Sequence, residues 1–197
     1  MSDSMFPSDY YLVRRKVFKL AGGAFHVYDR SGAVVAFSEQ KAFKLKEDIR
    51  VFADESKSRE LLSIQARQII DFSAAYDVSD STTGEKIGAF RRRGGMSILR
   101  DEWHVLDAAD RKYATVIEDS MVLALLRRLL SNLIPQRYDV FAPDEANGDK
   151  IANMDQNFNP FVYKLEVDFS MDPAMRLDHR MGIAAAILLA AVEGKQG

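Results

Sequence analysis

The chain contains no cysteine, which removes disulfides, thiolate metal ligation, cysteine nucleophiles and S-acylation together. Histidine is almost as scarce. His26, His104 and His179 stand far apart with no metal-ligand spacing among them, so they read as structural. There is no excess of charge either: 27 basic against 29 acidic residues leave a net charge of −2. That balance gives no global attraction for nucleic acid or for an anionic membrane, and any such contact must come from a local patch. No hydrophobic run reaches membrane-spanning length, and no apolar stretch near the N-terminus has the length of a secretory signal. A phosphate-binding glycine loop, a nucleophile elbow and a zinc-binding helix motif are all missing, so no cofactor is expected and no residue is nominated as catalytic.

What is present reads as β structure. From Tyr11 to about Phe90, short segments rich in Val, Ile, Phe and Tyr alternate with turn chemistry. Val13 to Leu20 leads into Gly22-Gly23; Phe25 to Tyr28 leads through Asp29-Arg30-Ser31-Gly32 into Ala33 to Phe37. Further runs follow at Phe43 to Leu45, Ile49 to Phe52, Leu61 to Ala66, Phe72 to Val78 and Ile87 to Arg92. Beyond Gly94-Gly95 come Trp103 to Leu106, Tyr113 to Ile117, Tyr138 to Ala142, Ile151 to Met154 and Phe161 to Phe169. In the last of these, Tyr163, Leu165, Val167 and Phe169 alternate with Lys164, Glu166 and Asp168, so one face is buried and the other wet. Three stretches end in an aspartate before a polar turn: Val27-Tyr28-Asp29, Val78-Ser79-Asp80 and Val105-Leu106-Asp107. They fit either the general ability of aspartate to start turns or a hairpin repeat.

Two segments read as helices. Ser120 to Ile134 gathers Val122, Leu125, Leu126, Leu129, Leu130 and Leu133 on one side, with Arg127, Arg128 and Ser131 opposite, and packs on the outside of the sheet. Asp178 is placed to cap a second helix that runs through Met181 to Val192. These 12 residues carry no charge; at about 1.5 Å each they span roughly 18 Å, short of a bilayer core. A helix apolar on every side must be surrounded by protein, and in a chain made otherwise of strands the natural container is a closed barrel, a helix sandwiched between sheets being the other reading. The class is mainly β: a closed antiparallel barrel around a buried C-terminal helix, with one outer amphipathic helix. Residues 1–10 read as a flexible N-terminus and 11–197 as a single domain.

Phe25-His26-Val27-Tyr28-Asp29-Arg30-Ser31-Gly32, Ile87-Gly88-Ala89-Phe90-Arg91-Arg92, Trp103-His104-Val105-Leu106-Asp107, Phe158-Asn159-Pro160-Phe161 and Leu177-Asp178-His179-Arg180 before the apolar helix, taken in that order, resemble the scramblase and tubby carboxy-terminal superfamily. That superfamily includes the plant LURP-one-related proteins and bacterial scramblase-like proteins. The resemblance implies a twelve-stranded barrel around the terminal helix. For function it implies a non-enzymatic module recognising anionic phospholipid or phosphoinositide headgroups, with scramblase-like lipid movement or a protein-binding scaffold as alternatives.

Arg91-Arg92-Arg93, with Lys86 upstream and Arg100 downstream, is the densest positive charge in the chain and the candidate headgroup site, since arginine presents a forked donor set suited to phosphate. Strand alternation sends Arg92 to the opposite face from Arg91 and Arg93. Arg14-Arg15-Lys16 and Lys19 form a second basic cluster. Neither cluster is interleaved with stacking aromatics, so nucleic acid is not an expected partner. Glu166, Asp168, Asp172 and Asp178 lie where scramblases have an acidic stretch proposed to bind calcium. However, Pro173 stands at the glycine position of a calcium loop and His179 at its closing glutamate, so these acids read as turn and cap residues and no metal is expected. The expected partners are anionic membrane lipids or another protein, and the expected location is cytoplasmic, peripheral at a membrane.

Overall fold

A computed structural model describes residues 5–18, 22–40, 48–67, 75–93, 102–118, 135–142, 148–157 and 162–193. The strand expected around 43–45, the outer helix expected over 120–134, and Lys19 and Arg100 lie outside these described residues.

Short runs rich in apolar residues, several of them alternating with polar ones, produce twelve strands: β1 (Tyr10–Phe18), β2 (Gly22–Asp29), β3 (Val34–Gln40), β4 (Asp48–Phe52), β5 (Glu60–Ala66), β6 (Ala75–Asp80), β7 (Glu85–Arg92), β8 (Glu102–Asp107), β9 (Lys112–Glu118), β10 (Arg137–Ala142), β11 (Asp149–Gln156) and β12 (Lys164–Asp168). Each pairs antiparallel with its neighbours in sequence, and β12 returns to β1, closing the barrel. Closure leaves no open edge to template aggregation. At the seam Tyr11 pairs with Val167, Leu12 with Glu166 and Arg14 with Lys164.

The turns at one end share a device. Asp29 Oδ1 accepts from the backbone N–H of Ser31 and of Ala33 (2.8 and 3.1 Å). Asp80 Oδ1 accepts from Thr82 N–H (2.8 Å) and Asp107 Oδ1 from Ala109 N–H (2.9 Å). The three aspartates recurring in the sequence therefore do the same local work, an Asx turn that opens a hairpin.

In β4, β6 and β12 every second residue is buried, the pattern of a strand with one face inward, and the last element fills the space the barrel encloses. Helix α1 (His179–Glu193) has Ile183, Ala184, Ala186 and Ile187 fully buried and Ala185 and Leu189 nearly so, positions that at about 100° per residue together reach every side of the helix. No helix among the described residues is long and apolar enough to cross a membrane. At the entry to α1, Asp178 Oδ1 accepts from Arg180 N–H (2.9 Å), which caps the helix. Arg180 Nη1 then donates to Asp80 Oδ2 (2.8 Å), tying the helix to the end of β6. Phe169 stacks on His179 with ring centroids 4.2 Å apart and planes 13° from parallel. His179 Nδ1 lies 2.9 Å from the Phe6 carbonyl oxygen and serves as its donor. Phe6, within the stretch assigned to the N-terminus, is fully buried and packs edge-on against Tyr11.

Candidate functional site

Among the described residues one interior void stands out. Between α1 and β7 to β9 a void of about 10 Å³ is lined by Phe90, Trp103, Val116, Ala185, Leu188 and Leu189, at the lower limit for a single water. This void cannot hold a headgroup or an acyl chain, so among the described residues the candidate contacts are those on the outer wall and the rims. Trp103 is buried.

The predicted cations do not converge. Lys86 sits at the opposite end of β7 from Arg91, about 17 Å along the strand at its usual rise. Its Nζ donates to Asp110 Oδ1 (2.8 Å) and lies 3.0 Å from Asp77 Oδ1. Arg67 completes the group, with Nη2 at 2.6 Å from Asp77 Oδ1 and 2.5 Å from Asp110 Oδ1. Two cations and two carboxylates make a neutral network, a poor lure for an anion. Burial pulls the Lys86 ammonium down, but its bonds to Asp110 and Asp77 outweigh that and raise it above its ordinary value. The side-chain hydrogen bonds from Arg67 and Lys86 hold Asp110 down at about 2. Asp77 is lowered mainly by its hydrogen bond from Arg67.

At the other end of β7, Arg91 is exposed on the outer wall beside His104, its cross-strand neighbour. Arg92 turns the other way, inward, with its guanidinium 5.9 Å over the Trp103 ring. Arg93 is exposed, and its Nη1 donates to both oxygens of Glu102 (3.1 and 3.0 Å). His104 Nε2 lies 3.1 Å from the same carboxylate. Of the four predicted cations within the described residues, Lys86 and Arg93 are neutralised locally, Arg92 packs on an aromatic ring, and Arg91 alone projects without a described acidic partner.

The second basic cluster behaves differently. Tyr11 and Val13 are fully buried, so alternation sends Arg15 inward, 5.8 Å over the Phe25 ring, and Arg14 and Lys16 outward. Closure of the barrel then sets Lys164 of β12 directly across from Arg14, with His26 of β2 on its other side. Lys164 was visible in the sequence only as the polar half of an alternating strand.

The acidic residues before α1 are occupied with backbone. Asp168 Oδ1 accepts from Ser170 N–H (2.8 Å), Asp172 Oδ2 from Leu177 N–H (2.8 Å), and Asp178 caps the helix. His26 Nε2 lies 2.5 Å from Glu55. Each of the three histidines thus has a local hydrogen-bonding partner.

The depressed carboxylates carry a pH dependence. For Asp80, burial raises the pKa, but hydrogen bonds from Thr82 and the Arg180 partner outweigh it, so the net shift is downward. Asp77 and Asp110 are lowered too. A carboxylate depressed in the folded state contributes stability above its unfolded pKa, near 3.9, and loses it as pH falls through the folded value. Thermal melts should therefore hold a steady midpoint above about pH 5 and decline from about pH 4 toward 2. Asp110→Asn, whose side chain tolerates the local φ of 63°, should shrink that decline; an equally steep one rules out the network as its source.

A family model described as LURP-one-related matches residues 10–190. The chain belongs to the LURP-one-related family, within the tubby-like C-terminal superfamily. No curated protein matches it.

Proposed function

We propose that this LURP-one-related protein is a non-enzymatic binding module that recognises anionic phospholipid headgroups on its outer wall, acting at the cytoplasmic face of a membrane. Family membership supports a lipid-binding or soluble binding module as the general class. The observation that carries the reading is the outward-facing cation at Arg91: α1 occupies the barrel axis and the void described beside it is only about 10 Å³, which supports a contact made on the outer wall. On that wall the strand end at Arg91, Arg92 and Arg93 is the proposed contact, with Arg91 as its principal charge.

Co-sedimentation with phosphatidylcholine vesicles, with and without phosphatidylinositol bisphosphate, tests it. Binding should require the anionic lipid and weaken with added salt, because exposed charges are screened. One basic residue near an anionic surface is worth about 1 kcal/mol. With Arg93 already paired, the Arg91→Ala/Arg92→Ala/Arg93→Ala variant should lose affinity about five-fold, roughly what that energy allows. No binding by the wild type at low salt defeats the proposal, and unchanged binding by the variant removes these arginines from the contact.

A further inference from the structure

We infer that Arg14 and Lys164, flanked by Lys16, form a binding site for a phosphate ester on the outer wall at the seam of the barrel. The site stands on different residues from the Arg91 to Arg93 contact and on an observation of its own.

Arg14 on β1 and Lys164 on β12 are register partners. Directly opposed residues in an antiparallel pair hold their Cβ atoms about 5 Å apart, and like charges there destabilise the sheet. Evolution of a stable barrel would favour a carboxylate at one of the two positions, as Asp155 stands opposite Arg137 and pairs with it at 2.6 Å. Here both positions are cationic. Arg14 Nε is moreover buried without a hydrogen-bond acceptor, so part of the guanidinium has lost water and gained nothing in return. Neither Arg14 nor Lys164 forms an ion pair among the described residues.

The nearby carboxylates are engaged elsewhere. Glu166, two residues along β12, accepts from Asn157 Nδ2 (2.6 Å) and interacts with the Tyr10 hydroxyl. Glu55 lies against His26, which closes the row on the side of β2, and it also feels Lys16. An oxyanion set between Arg14 and Lys164 would relieve the like-charge opposition and supply the missing acceptor. A phosphate ester suits both donors: arginine binds its oxygens as a fork and lysine as a point charge.

The experiment uses the full chain, wild type and Arg14→Gln/Lys164→Gln, with two probes. Inositol trisphosphate is titrated calorimetrically, and phosphatidylcholine vesicles with or without phosphatidylinositol bisphosphate are co-sedimented. The wild type should bind at least one probe, and the double variant should lose at least ten-fold in affinity for it. Without ligand, the variant should melt no lower than the wild type, because it removes a repulsion. Binding of the soluble probe identifies a free phosphate ester as sufficient; binding of vesicles alone identifies a lipid headgroup. The inference is overturned if the wild type binds neither probe, if the double variant retains affinity, or if it melts well below the wild type, which would give the two residues a structural role. Loss of vesicle binding in the Arg91 to Arg93 variant with retention in Arg14→Gln/Lys164→Gln overturns this site while supporting the other.

Discussion

Ile187→Asp abolishes folding. Ile187 is fully buried near the middle of α1 and belongs to the hydrophobic core shared by the helix and the strands. The substitution removes a buried aliphatic side chain, worth about 2 to 5 kcal/mol for truncations of that size. It also installs a carboxyl group that must either stay charged at a cost of several kcal/mol or take up a proton unfavourably at neutral pH. Together these approach the whole stability of a typical domain, about 5 to 15 kcal/mol. The expected result is protein without a cooperative thermal transition and with exposed apolar surface that binds a hydrophobic dye. Ile187→Val is the control: it should fold, with a loss of about 1 kcal/mol and a midpoint lower by about 2 to 4 °C. A cooperatively folded Ile187→Asp protein would mean that α1 does not occupy the axis.

That prediction follows from the sequence, because length and all-round apolarity of residues 181–192 exclude both a bilayer span and a surface helix. The strands were equally readable, since alternation is a local property. Boundaries differ where a turn residue completes the ladder: the apolar run stops at Val78, yet β6 continues to Asp80, which is also the Arg180 partner. Phe6 carried no signal, because a lone phenylalanine before a proline has no periodicity to betray burial.

The candidate site was less readable, for a physical reason. A basic run in sequence is not a basic patch in space once a strand deals its residues to two faces, and Arg91, Arg92 and Arg93 are dealt in that way. Compensating acids come from afar: Asp110 reaches Lys86 across a hairpin, and Glu102 reaches Arg93 from β8. The opposition of Arg14 and Lys164 is less visible still, since it exists only because the last strand closes on the first.

Gly182→Ala tests the packing where α1 enters the barrel, and its sign is set by two opposed effects. Alanine in place of glycine inside a helix gains about 1 kcal/mol in intrinsic propensity. Against that, a Cβ at position 182 would stand 2.3 and 2.4 Å from two carbons of the Phe169 ring, far inside contact. The ring has little freedom to yield: it stacks on His179 on one side, meets Tyr11 edge-on at 6.2 Å, and is itself buried. Overpacking a core of this kind costs about 1 to 3 kcal/mol, more when a ring must leave its rotamer. Sterics therefore win, and the variant should be destabilised by about 1 to 2 kcal/mol, a midpoint drop of about 2 to 8 °C for a chain of this size. Phe169→Leu in the same background should recover part of the loss, although it is destabilising alone, so a double-mutant cycle should show a coupling of at least about 0.5 kcal/mol. Additive effects would place the Phe169 ring off residue 182, and a stabilised Gly182→Ala protein would show that the helix has room at this point, contrary to the packing that plugs the barrel.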